Sequence, residues 1–282
     1  MNRSPLDERV RILSALVEGN SIRATSRMVG VSKDTVQKLL EDVGDACEAY
    51  HDENVRDLSV MLIQCDEIWT FCKAKESNIA PAKKRETIGD MWTWVAIDAQ
   101  RKLVITWTLG KRSPRFARRF MEDLAGRVKT IVQISTDGFG MYKPQIQRYF
   151  AKRADYGMDV KTYGRDLESY ETRYSPPKVL ERRRISVLGA PDERYISTSH
   201  IERQNLTMRM SMRRFTRLTN GFSKKMMNLQ RALALHYMHY NFCRVHSTLK
   251  TTPAIASRLT DRIWTLHDIA NLPDVLRDSV AA

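Results

Sequence analysis

The first fifty residues repeat apolar positions at helical spacing, and small residues interrupt the pattern. The first apolar stripe consists of Val10, Ile12, Leu13, Leu16 and Val17. It stops at Gly19-Asn20, and a second short helix is predicted from Ser21 to Val29. Ser32 can cap a third helix, predicted from Lys33 to Val43. The pattern therefore predicts three helices, with a tight turn between the last two.

Three short helices with a tight turn before the last resemble a helix-turn-helix. We therefore predict a DNA-binding domain over residues 1–50. In it, Lys33, Thr35 and Gln37 begin the recognition helix and face the major groove. From Met1 to Asp45, seven basic and seven acidic residues cancel. This neutral balance keeps a plain three-helix packing module open as the alternative.

After a linker over residues 51–60, the pattern becomes that of β-strands. Segments rich in β-branched and aromatic residues predict three consecutive strands, over Met61–Lys73, Met91–Ile97 and Leu103–Leu109. A hairpin turn is predicted at Asp98–Arg101, between the second and third strands.

Helices and strands then alternate along the chain. The predicted order is a helix over Ser113–Arg127, a strand over Thr130–Thr136, a helix over Pro144–Lys152 and a strand over Asp159–Tyr163. Glycine, proline and many charges predict an irregular insertion at about residues 164–196. Further helices are predicted over Ser199–Arg217 and Ser223–His246.

This order of elements predicts an α/β fold, in which a mixed sheet is flanked by helices. The sheet and its helices would occupy residues 61–250, and residues 251–282 would form a helical tail. A chain of 282 residues is long enough for one such domain and a small accessory unit.

The charge of the chain suggests a polyanionic partner. The formal net charge is +14, and from Glu181 to Lys225 eleven basic residues outnumber four acidic ones. No stretch reaches the roughly 18 apolar residues of a membrane span, and no apolar secretion signal is found. A cytoplasmic, nucleoid-associated protein without membrane contact is therefore expected. The four cysteines form no C-x-x-C pair, which argues against a structural zinc site.

An acid stands in the middle of the first predicted strand, where carboxylates are disfavoured. Because side chains alternate along a strand, Asp66 and Glu67 point to opposite faces of the sheet. Glu67 shares its face with the apolar Ile63 and Cys65, which leaves Asp66 as the better candidate for a metal ligand. An ion pair at a strand edge is the alternative.

Two further acids lie where ligands commonly gather. Asp137 follows the apolar run of the fourth strand and precedes Gly138. Glu202 lies near the start of a helix, with Arg209 two turns later on the same face. The alternatives are a plain turn at Asp137 and a capping box from Ser199 to Glu202. First strand, fourth strand and a later helix are the positions at which an RNase-H-like fold gathers carboxylates.

At these residues the sequence resembles a DDE transposase, and most closely the insertion-sequence-one (IS one) family. The resemblance covers nearly the whole chain, and its last long blocks are the most specific. The matching segments are Cys65–Trp69, Thr136–Gly138, Ser197–Phe215, Tyr240–His246 and Thr252–Pro253.

The resemblance implies an RNase-H-like, retroviral-integrase-like catalytic domain. In it, Asp66, Asp137 and Glu202 form the catalytic triad and hold two Mg²⁺ ions, for which Mn²⁺ could substitute. It also implies DNA transposition, by cleavage at element ends and attack of the freed 3′-hydroxyl on target DNA. The expected partners are double-stranded DNA and further copies of the chain, as a homodimer or higher oligomer. The best-known members carry a zinc-binding N-terminal region, which this chain lacks, so end recognition is expected to differ.

Basic residues close to Glu202 are candidates for contacts with DNA phosphates. They are Arg203, Arg209, Arg213, Arg214 and Arg217. Arg209 takes the place of the basic residue that follows the family's glutamate. Three methionines among them, Met208, Met210 and Met212, are expected to pack inward. A solvated basic helix face is the alternative for the arginines.

Two other functions are open. A tyrosine recombinase would use the H-x-x-R spacing of His200 and Arg203 with Tyr237 or Tyr240 as nucleophile. Its catalytic domain would be largely helical, whereas residues 61–138 predict strands. The second alternative is an inactive, transposase-derived regulator that binds DNA without cutting it.

Overall fold

Six strands form one mixed sheet in the computed structural model, which describes residues 4–164, 178–216 and 219–281. The strands are β1 (Leu62–Cys72), β2 (Gly89–Asp98), β3 (Val104–Gly110), β4 (Val132–Thr136), β5 (Ala154–Gly164) and β6 (Lys178–Leu188). Their order across the sheet is β3-β2-β1-β4-β5-β6. Strand β2 runs antiparallel to both of its neighbours, β1 and β3. Strands β4 and β5 run parallel to β1, and β6 runs antiparallel to β5. The predicted α/β class with a mixed sheet is confirmed.

One strand lies where the sequence predicted an irregular insertion. Within residues 164–196, β6 pairs with β5 along Lys178–Leu188, and a 3₁₀ turn follows at Glu193–Tyr195. The prediction of irregular structure is therefore wrong for β6. Its three consecutive arginines hide the strand pattern, but they are tolerated because β6 is an exposed edge strand. Residues 165–177 of the predicted insertion lie outside the described residues.

Helices cover both faces of the sheet. Helices α4 (Pro114–Arg127) and α5 (Tyr142–Phe150) pack on the face that carries Cys65 and Trp94. Helices α6 (Ser199–Ser211) and α7 (Met226–Met238) pack on the opposite face, and their buried residues join Ile68 and Val95 in a second cluster. The helix predicted over Ser199–Arg217 ends earlier, at Ser211. The helix predicted over Ser223–His246 ends at Met238, followed by a π-helical turn over His239–Cys243.

The three N-terminal helices are present, and the second and third begin within one residue of their predicted starts. They are α1 (Leu6–Val17), α2 (Ile22–Val29) and α3 (Lys33–Asn54). Ser21 and Ser32 cap the second and third helices by accepting hydrogen bonds from the backbone amides of Ala24 and Thr35. Gly30 ends α2 with φ +81°, in the left-handed region that glycine adopts readily.

The third helix is longer than predicted. It continues past Val43 to Asn54 and covers the first part of the predicted linker. Its apolar stripe persists because Cys47 and His51 are buried against the rest of the protein. Gly44 allows close contact with α7, since a Cβ at this position would lie 2.6 Å from the Cβ of Arg231.

The C-terminal residues are helical and pack against the N-terminal helices. They form α8 (Pro253–Ala256) and α9 (Leu266–Ala281). Arg9 of α1 donates hydrogen bonds of 2.9 Å to the carbonyl oxygen of Ala270 and to the Asp274 carboxylate. Buried residues of α1, α3, α9 and the sheet belong to one continuous cluster. Within the described ranges, no helix is both long and apolar enough to cross a membrane.

Candidate active site

Asp66 lies in the middle of β1 and points to the face that α6 covers. Alternation along the strand gives it the same face as Gln64 and Ile68, and Ile68 packs in the cluster beneath α6. The Nδ2 atom of Asn205, on α6, donates a hydrogen bond of 2.8 Å to Oδ2 of Asp66. The carboxylate is therefore turned toward α6 and held there by an amide.

Asp137 lies level with Asp66 on the neighbouring strand. The parallel register pairs Gln64 of β1 with Ser135 of β4, and each of the two aspartates follows two residues later. Ser135 points to the α6 face, because its hydroxyl contacts the carbonyl oxygen of Tyr195. Asp137 accepts a hydrogen bond of 2.9 Å from the backbone amide of Phe139, which turns the chain directly after β4. Neighbouring strands thus present two carboxylates at one level of the sheet.

Glu202 is brought over these strands because the start of α6 is fixed to β1. The Oε1 atom of Gln64 accepts hydrogen bonds from the backbone amides of His200 and Ile201, at 2.8 and 3.1 Å. These are two of the amides that the first turn of a helix leaves unpaired. Gln64 therefore holds α6 by its N-terminus, two residues away from Asp66.

The Glu202 side chain has protein partners of its own. The Thr198 hydroxyl donates a hydrogen bond of 2.6 Å to its Oε1 atom, and Lys161 of β5 forms a close ion pair with the same oxygen. The predicted capping box from Ser199 is not formed, because α6 starts after Thr198 and that residue provides no side-chain cap. Glu202 is 44% exposed, so its other oxygen can accept a ligand.

A buried aspartate fixes the start of the helix that carries Glu202. Asp159 of β5 is fully buried and accepts bonds of 2.6 and 2.8 Å from Arg182 of β6. It also accepts a bond of 3.2 Å from the backbone amide of Thr198. Burial alone would raise the pKa of Asp159, but the bonds from Arg182 hold it below its usual value. Asp159 therefore fixes the residue from which α6 begins.

The electrostatics of Asp66 show that the three acids share one environment. Burial, together with the negative charges of Asp137 and Glu202, raises the pKa of Asp66 to about 7, although the amide of Asn205 opposes the shift. A carboxylate surrounded by other carboxylates is stabilised by any cation that enters. The arrangement concentrates negative charge at one place on the sheet.

The donor set of this site suits a hard divalent cation. Magnesium and manganese prefer carboxylate oxygens, and three such groups face the same region of the sheet. Across residues 4–164, 178–216 and 219–281, however, no three His, Cys, Asp or Glu side chains stand close enough to hold a metal ion as placed. Lys161 already pairs with Glu202, so coordination would require that carboxylate to turn toward Asp66. The chemistry of the donors fits magnesium, but the ligand shell is not preformed.

Glu67 lies on the opposite face of β1, as alternation predicts. Its side chain is 1% exposed, and its Oε2 atom is 3.1 Å from both Nε and Nη2 of Arg112. Burial raises the pKa of Glu67 to about 7, although a hydrogen bond with Tyr142 and the charge of Arg112 oppose this shift. Glu67 is therefore separated from Asp66 by the sheet itself and cannot share a ligand position with it.

The arginines predicted to contact DNA differ in their exposure to solvent. Arg203 and Arg213 are exposed, and Arg209 is half-buried on α6. Arg214 donates a hydrogen bond of 2.6 Å to Ser223, and burial lowers its pKa to about 10. Its guanidinium is thus held inside the protein. Arg217 lies outside the described residues.

The three methionines among these arginines also differ in burial. Met208 and Met212 are buried in the cluster beneath α6, as predicted. Met210 is 70% exposed, so the expectation that it packs inward is wrong. It lies two residues from each of the buried pair, on the opposite side of the helix.

The three predicted recognition residues lie in the first turns of α3. Lys33 is exposed and Thr35 is half-buried, with its hydroxyl 2.9 Å from that of Ser32. Gln37 donates a hydrogen bond of 3.0 Å to Glu41, one turn along the same helix. The turn before α2 packs close to the end of α6, since a Cβ on Gly19 would lie 3.1 Å from the carbonyl oxygen of Met210.

Sequence reasoning missed several residues that hold the site. Gln64, Asp159, Lys161 and Thr198 all contact the acids or the start of α6. Gln64 has a detectable signal, because it is a polar residue on the same strand face as Asp66. The others have none, since polar residues in and after an outer strand are usually solvated.

Comparisons with known proteins give a weak structural likeness. No protein-family model matches the chain, and no curated protein sequence is similar to it. Solved complexes of the Mos1 mariner transposase are similar to it in structure over part of the chain. The Mos1 strand transfer complex has 12% identity, with 57% of this chain and 58% of that chain covered and a TM-score of 0.22. A pre-cleavage Mos1 transpososome has 10% identity, with 55% and 60% covered and a TM-score of 0.21.

A third solved structure is the Mos1 mariner paired end complex with Mn, at 12% identity, 52% and 57% coverage and a TM-score of 0.20. The chain spans less than two thirds of the length of these solved chains. Such low TM-scores carry no conclusion about family or function. The resemblance to the insertion-sequence-one family therefore still rests on the sequence motifs alone.

Proposed function

We propose that this protein is a DDE transposase, which cuts DNA at the ends of an insertion sequence and joins the freed 3′-hydroxyl to target DNA. The observation that supports this proposal is the placement of two acids at one level of the sheet, beneath the helix that bears a third. Asp66 and Asp137 lie level on neighbouring parallel strands, and Gln64 fixes the helix that bears Glu202 over them. The pKa of Asp66 is raised mainly by burial, and the charges of Asp137 and Glu202 add to the shift.

The sheet is proposed to be RNase-H-like. Three antiparallel strands followed by two parallel ones, in the order β3-β2-β1-β4-β5, support this assignment. The acids occupy the middle of β1, the end of β4 and a helix on one face, which are the positions expected from the sequence. The edge strand β6 is an addition to that arrangement.

In the proposed mechanism, Asp66, Asp137 and Glu202 hold two Mg²⁺ ions. The ions would supply Lewis-acid stabilisation of the attacking and leaving oxygens. The chain's own residues position these ligands. Asn205 orients Asp66, the amide of Phe139 orients Asp137, and Thr198 orients Glu202.

Double-stranded DNA is the proposed substrate, and cations on two sides of the acids would contact its phosphates. Arg203, Arg209 and Arg213 belong to α6 and the turn after it. On the other side, Arg184 of β6 stands opposite Asp159 in the register and so shares the face of the site. Arg214 is left out of this surface because it is bonded within the protein. Arg217 remains a sequence-based candidate.

The N-terminal helices are proposed to recognise the element ends. Lys33, Thr35 and Gln37 would enter the major groove from the start of α3. A homodimer or higher oligomer would bring two element ends together. The turn before α2 lies close to the end of α6, which supports a single DNA path over the N-terminal helices and the helix that bears Glu202.

The tyrosine recombinase alternative is weakened by the placement of its nucleophile. Tyr237 is fully buried and Tyr240 is 5% exposed, and both pack in the cluster beneath α6. Neither hydroxyl can approach a phosphate unless α7 or the π-helical turn after it unfolds. A DNA-binding regulator without catalytic activity is separated from the proposal by the cleavage test below.

The test is metal-dependent cleavage of a supercoiled plasmid that carries the DNA flanking the protein's own coding sequence. The wild-type protein should give products with 3′-hydroxyl ends in Mg²⁺, none in EDTA, and no covalent protein–DNA adduct. Asp66→Asn, Asp137→Asn and Glu202→Gln should each lower the rate on the order of 100-fold or more. Binding to the same DNA should change only a few fold.

The matched control is Glu122→Gln, which removes an exposed acid from α4 on the other face of the sheet. It should cleave at the wild-type rate. Cleavage that survives in all three active-site variants, or a covalent adduct in the absence of metal, would refute the proposal. Binding without any cleavage by the wild-type protein would favour the regulator.

A further inference from the structure

An ion pair between a buried glutamate and a partly exposed arginine lies behind the candidate acids, on the face of the sheet that they do not use. Glu67 follows Asp66 directly, and its carboxylate is bonded to Arg112 from the connection between β3 and α4. Both the Nε and Nη2 atoms of Arg112 are 3.1 Å from Oε2 of Glu67. The Glu67 side chain is 1% exposed and that of Arg112 is 35% exposed. The carboxylate is therefore buried, whereas the guanidinium keeps part of its contact with water.

Arg112 also contacts the loop that carries the second aspartate. Its guanidinium carbon lies 3.7 Å from the centroid of the Phe139 ring and 4.7 Å from that of Trp92. A guanidinium so close to an aromatic face is held by cation–π attraction. The backbone amide of Phe139 in turn donates to Oδ1 of Asp137, at 2.9 Å. One arginine thus links the residue after Asp66 to the residue that orients Asp137.

The link spans a place where the sheet itself provides no connection. The pairing of β1 with β4 ends at Gln64 and Ser135. Asp66 and Asp137 each lie two residues beyond that last pair, so no ladder hydrogen bond between the two strands fixes their separation. At this level, Arg112 contacts Glu67, one residue after Asp66, and Phe139, two residues after Asp137.

We propose that Glu67 and Arg112 form a positioning clamp, which sets the separation of the Asp66 and Asp137 carboxylates through the stacked ring of Phe139. The role of this clamp in metal binding rests on the proposed two-metal site. Its effect on the loop that contains Phe139 does not depend on that proposal. Glu67, Arg112 and Phe139 touch neither substrate nor cation. They act by holding the aspartates that do.

The energetics of buried ion pairs favour a positioning role over a stabilising one. Taking two charges out of water costs several kcal/mol, and apolar residues of similar volume often replace such pairs without loss of stability. Removing one partner is different, because it leaves an uncompensated buried charge. The test therefore needs a variant in which both charges are removed together.

The main variant is Glu67→Met with Arg112→Met, which removes the ion pair and keeps apolar volume on both sides. Phe139→Leu, the second variant, leaves the ion pair intact and removes the aromatic ring on which Arg112 stacks. The matched control is Arg115→Met, which breaks an ion pair of 2.6 Å between Arg115 and Glu86, both of them exposed. The thermal midpoint identifies any variant whose fold is lost.

Two readouts separate the clamp from a general structural role. The first is hydrogen exchange of the segment 137–142 in the metal-free protein, where the Phe139 amide is bonded to Asp137. The second is Mn²⁺ affinity, followed by electron paramagnetic resonance. Both variants should exchange this segment about tenfold faster and bind Mn²⁺ at least about tenfold more weakly, at a thermal midpoint close to that of wild type. Arg115→Met should match wild type in both.

Unchanged exchange of residues 137–142 in the double variant would overturn the clamp. Equal Mn²⁺ affinity of wild type and double variant would overturn it as well. If wild-type protein binds no Mn²⁺, the two-metal proposal fails, and the exchange measurement alone decides whether Glu67 and Arg112 hold the loop. If the double variant loses its fold, Phe139→Leu decides by the same two readouts.

Discussion

Asp66 occupies a position that would be unfavourable for an isolated carboxylate. It lies mid-strand under a helix, and its pKa is raised to about 7 by burial and by the charges of Asp137 and Glu202. The amide of Asn205 and the backbone at Glu67 oppose the shift with neutral hydrogen bonds, and no cationic side chain in the described part of the chain is among its causes. A site of this kind is destabilised without a cation and stabilised by one, which is the property that a metal-dependent enzyme needs.

Lys161 is the residue whose removal should change cation binding most directly. It pairs with Glu202 and is 13% exposed, so it places a positive charge inside the proposed metal site. A monovalent charge beside a divalent one costs on the order of 1 kcal/mol or more even in a water-like dielectric. Lys161→Met should therefore bind Mn²⁺ several-fold more tightly, measured by electron paramagnetic resonance.

Two controls distinguish charge from packing in that experiment. Lys161→Arg keeps the charge and should retain wild-type affinity within a few fold. Lys143→Met removes an exposed lysine from α5, on the other face of the sheet, and should have no effect. Weaker binding by Lys161→Met would mean that the lysine assembles the site rather than competing for Glu202.

Single residues were predicted from the sequence where a simple periodicity applies. Strand alternation separates Asp66 from Glu67, and the structure gives the two side chains opposite faces. The partners of Glu202 could not be predicted in this way. Lys161 and Asp159 reach the site through the pairing of β5 with β4, and such long-range pairing leaves no local signal in an outer strand.

At the scale of elements, two connections build the site. The start of α6 is fixed by Gln64 from β1 and by Asp159 from β5, so one helix end is tied to two strands. Orphan amides at a helix N-terminus are satisfied here by side chains of the sheet. The position of Glu202 therefore depends on the sheet more than on the helix that carries it.

The edge strand β6 places basic side chains beside the site, and a substitution of Arg184 tests whether they contact DNA. Arg184 is exposed and shares the face of Asp159. If it contacts a DNA phosphate, Arg184→Ala should weaken binding to all sequences alike. The slope of log affinity against log salt should fall by about 1. Fluorescence anisotropy with duplex DNA over a range of salt concentrations measures both quantities.

The control for that measurement is Arg277→Ala, which removes an exposed arginine from α9 and changes the net charge by the same amount. Its salt slope should equal that of the wild-type protein. Equal slopes for wild type and Arg184→Ala would remove β6 from the DNA-contacting surface.

Element prediction succeeded where packing and periodicity agree. The first four strands and helices α2, α4 and α5 lie within two residues of their predicted bounds. The strand β6 was missed because its charges are those of a loop, and edge strands tolerate them. The third helix was ended too early, because Gly44 looks like a helix stop and is instead the point at which α3 contacts α7.

Across the whole molecule, the N-terminal and C-terminal helices are packed onto the sheet through shared buried residues. His51 of α3 shows this contact. Its ring lies 4.4 Å from that of Trp107 on β3, measured between centroids, and its Nε2 atom is 3.4 Å from the carbonyl oxygen of Val104. The sequence predicted an N-terminal domain, a sheet domain and a C-terminal tail as separate segments. It could not predict the packing between them, because the contacts join residues far apart in the chain.

The burial of His51 should make the protein sensitive to acid. Burial lowers the pKa of His51 to about 3, whereas an unfolded histidine titrates near its usual value. Between these values the unfolded chain binds the proton more readily, so stability falls as pH drops below about 6.5. At pH 5 the loss is about 2 kcal/mol for this residue.

Urea unfolding of His51→Gln at pH 7.5 and pH 5 measures this effect. The variant should lose about 2 kcal/mol less than wild-type protein between the two conditions. The control, His267→Gln, replaces a histidine whose side chain is 56% exposed and should behave as wild type. An unchanged acid sensitivity in His51→Gln would show that α3 does not bury this imidazole.

The central claim is that three carboxylates distant in the chain hold cations together. A crystal structure grown with Mn²⁺, read through the anomalous scattering of manganese, tests it most directly. Manganese peaks are expected at bonding distance from oxygens of Asp66, Asp137 and Glu202, with Glu202 released from Lys161. Saturating Mn²⁺ without a peak between these side chains, or a peak that leaves Glu202 on Lys161, would contradict it.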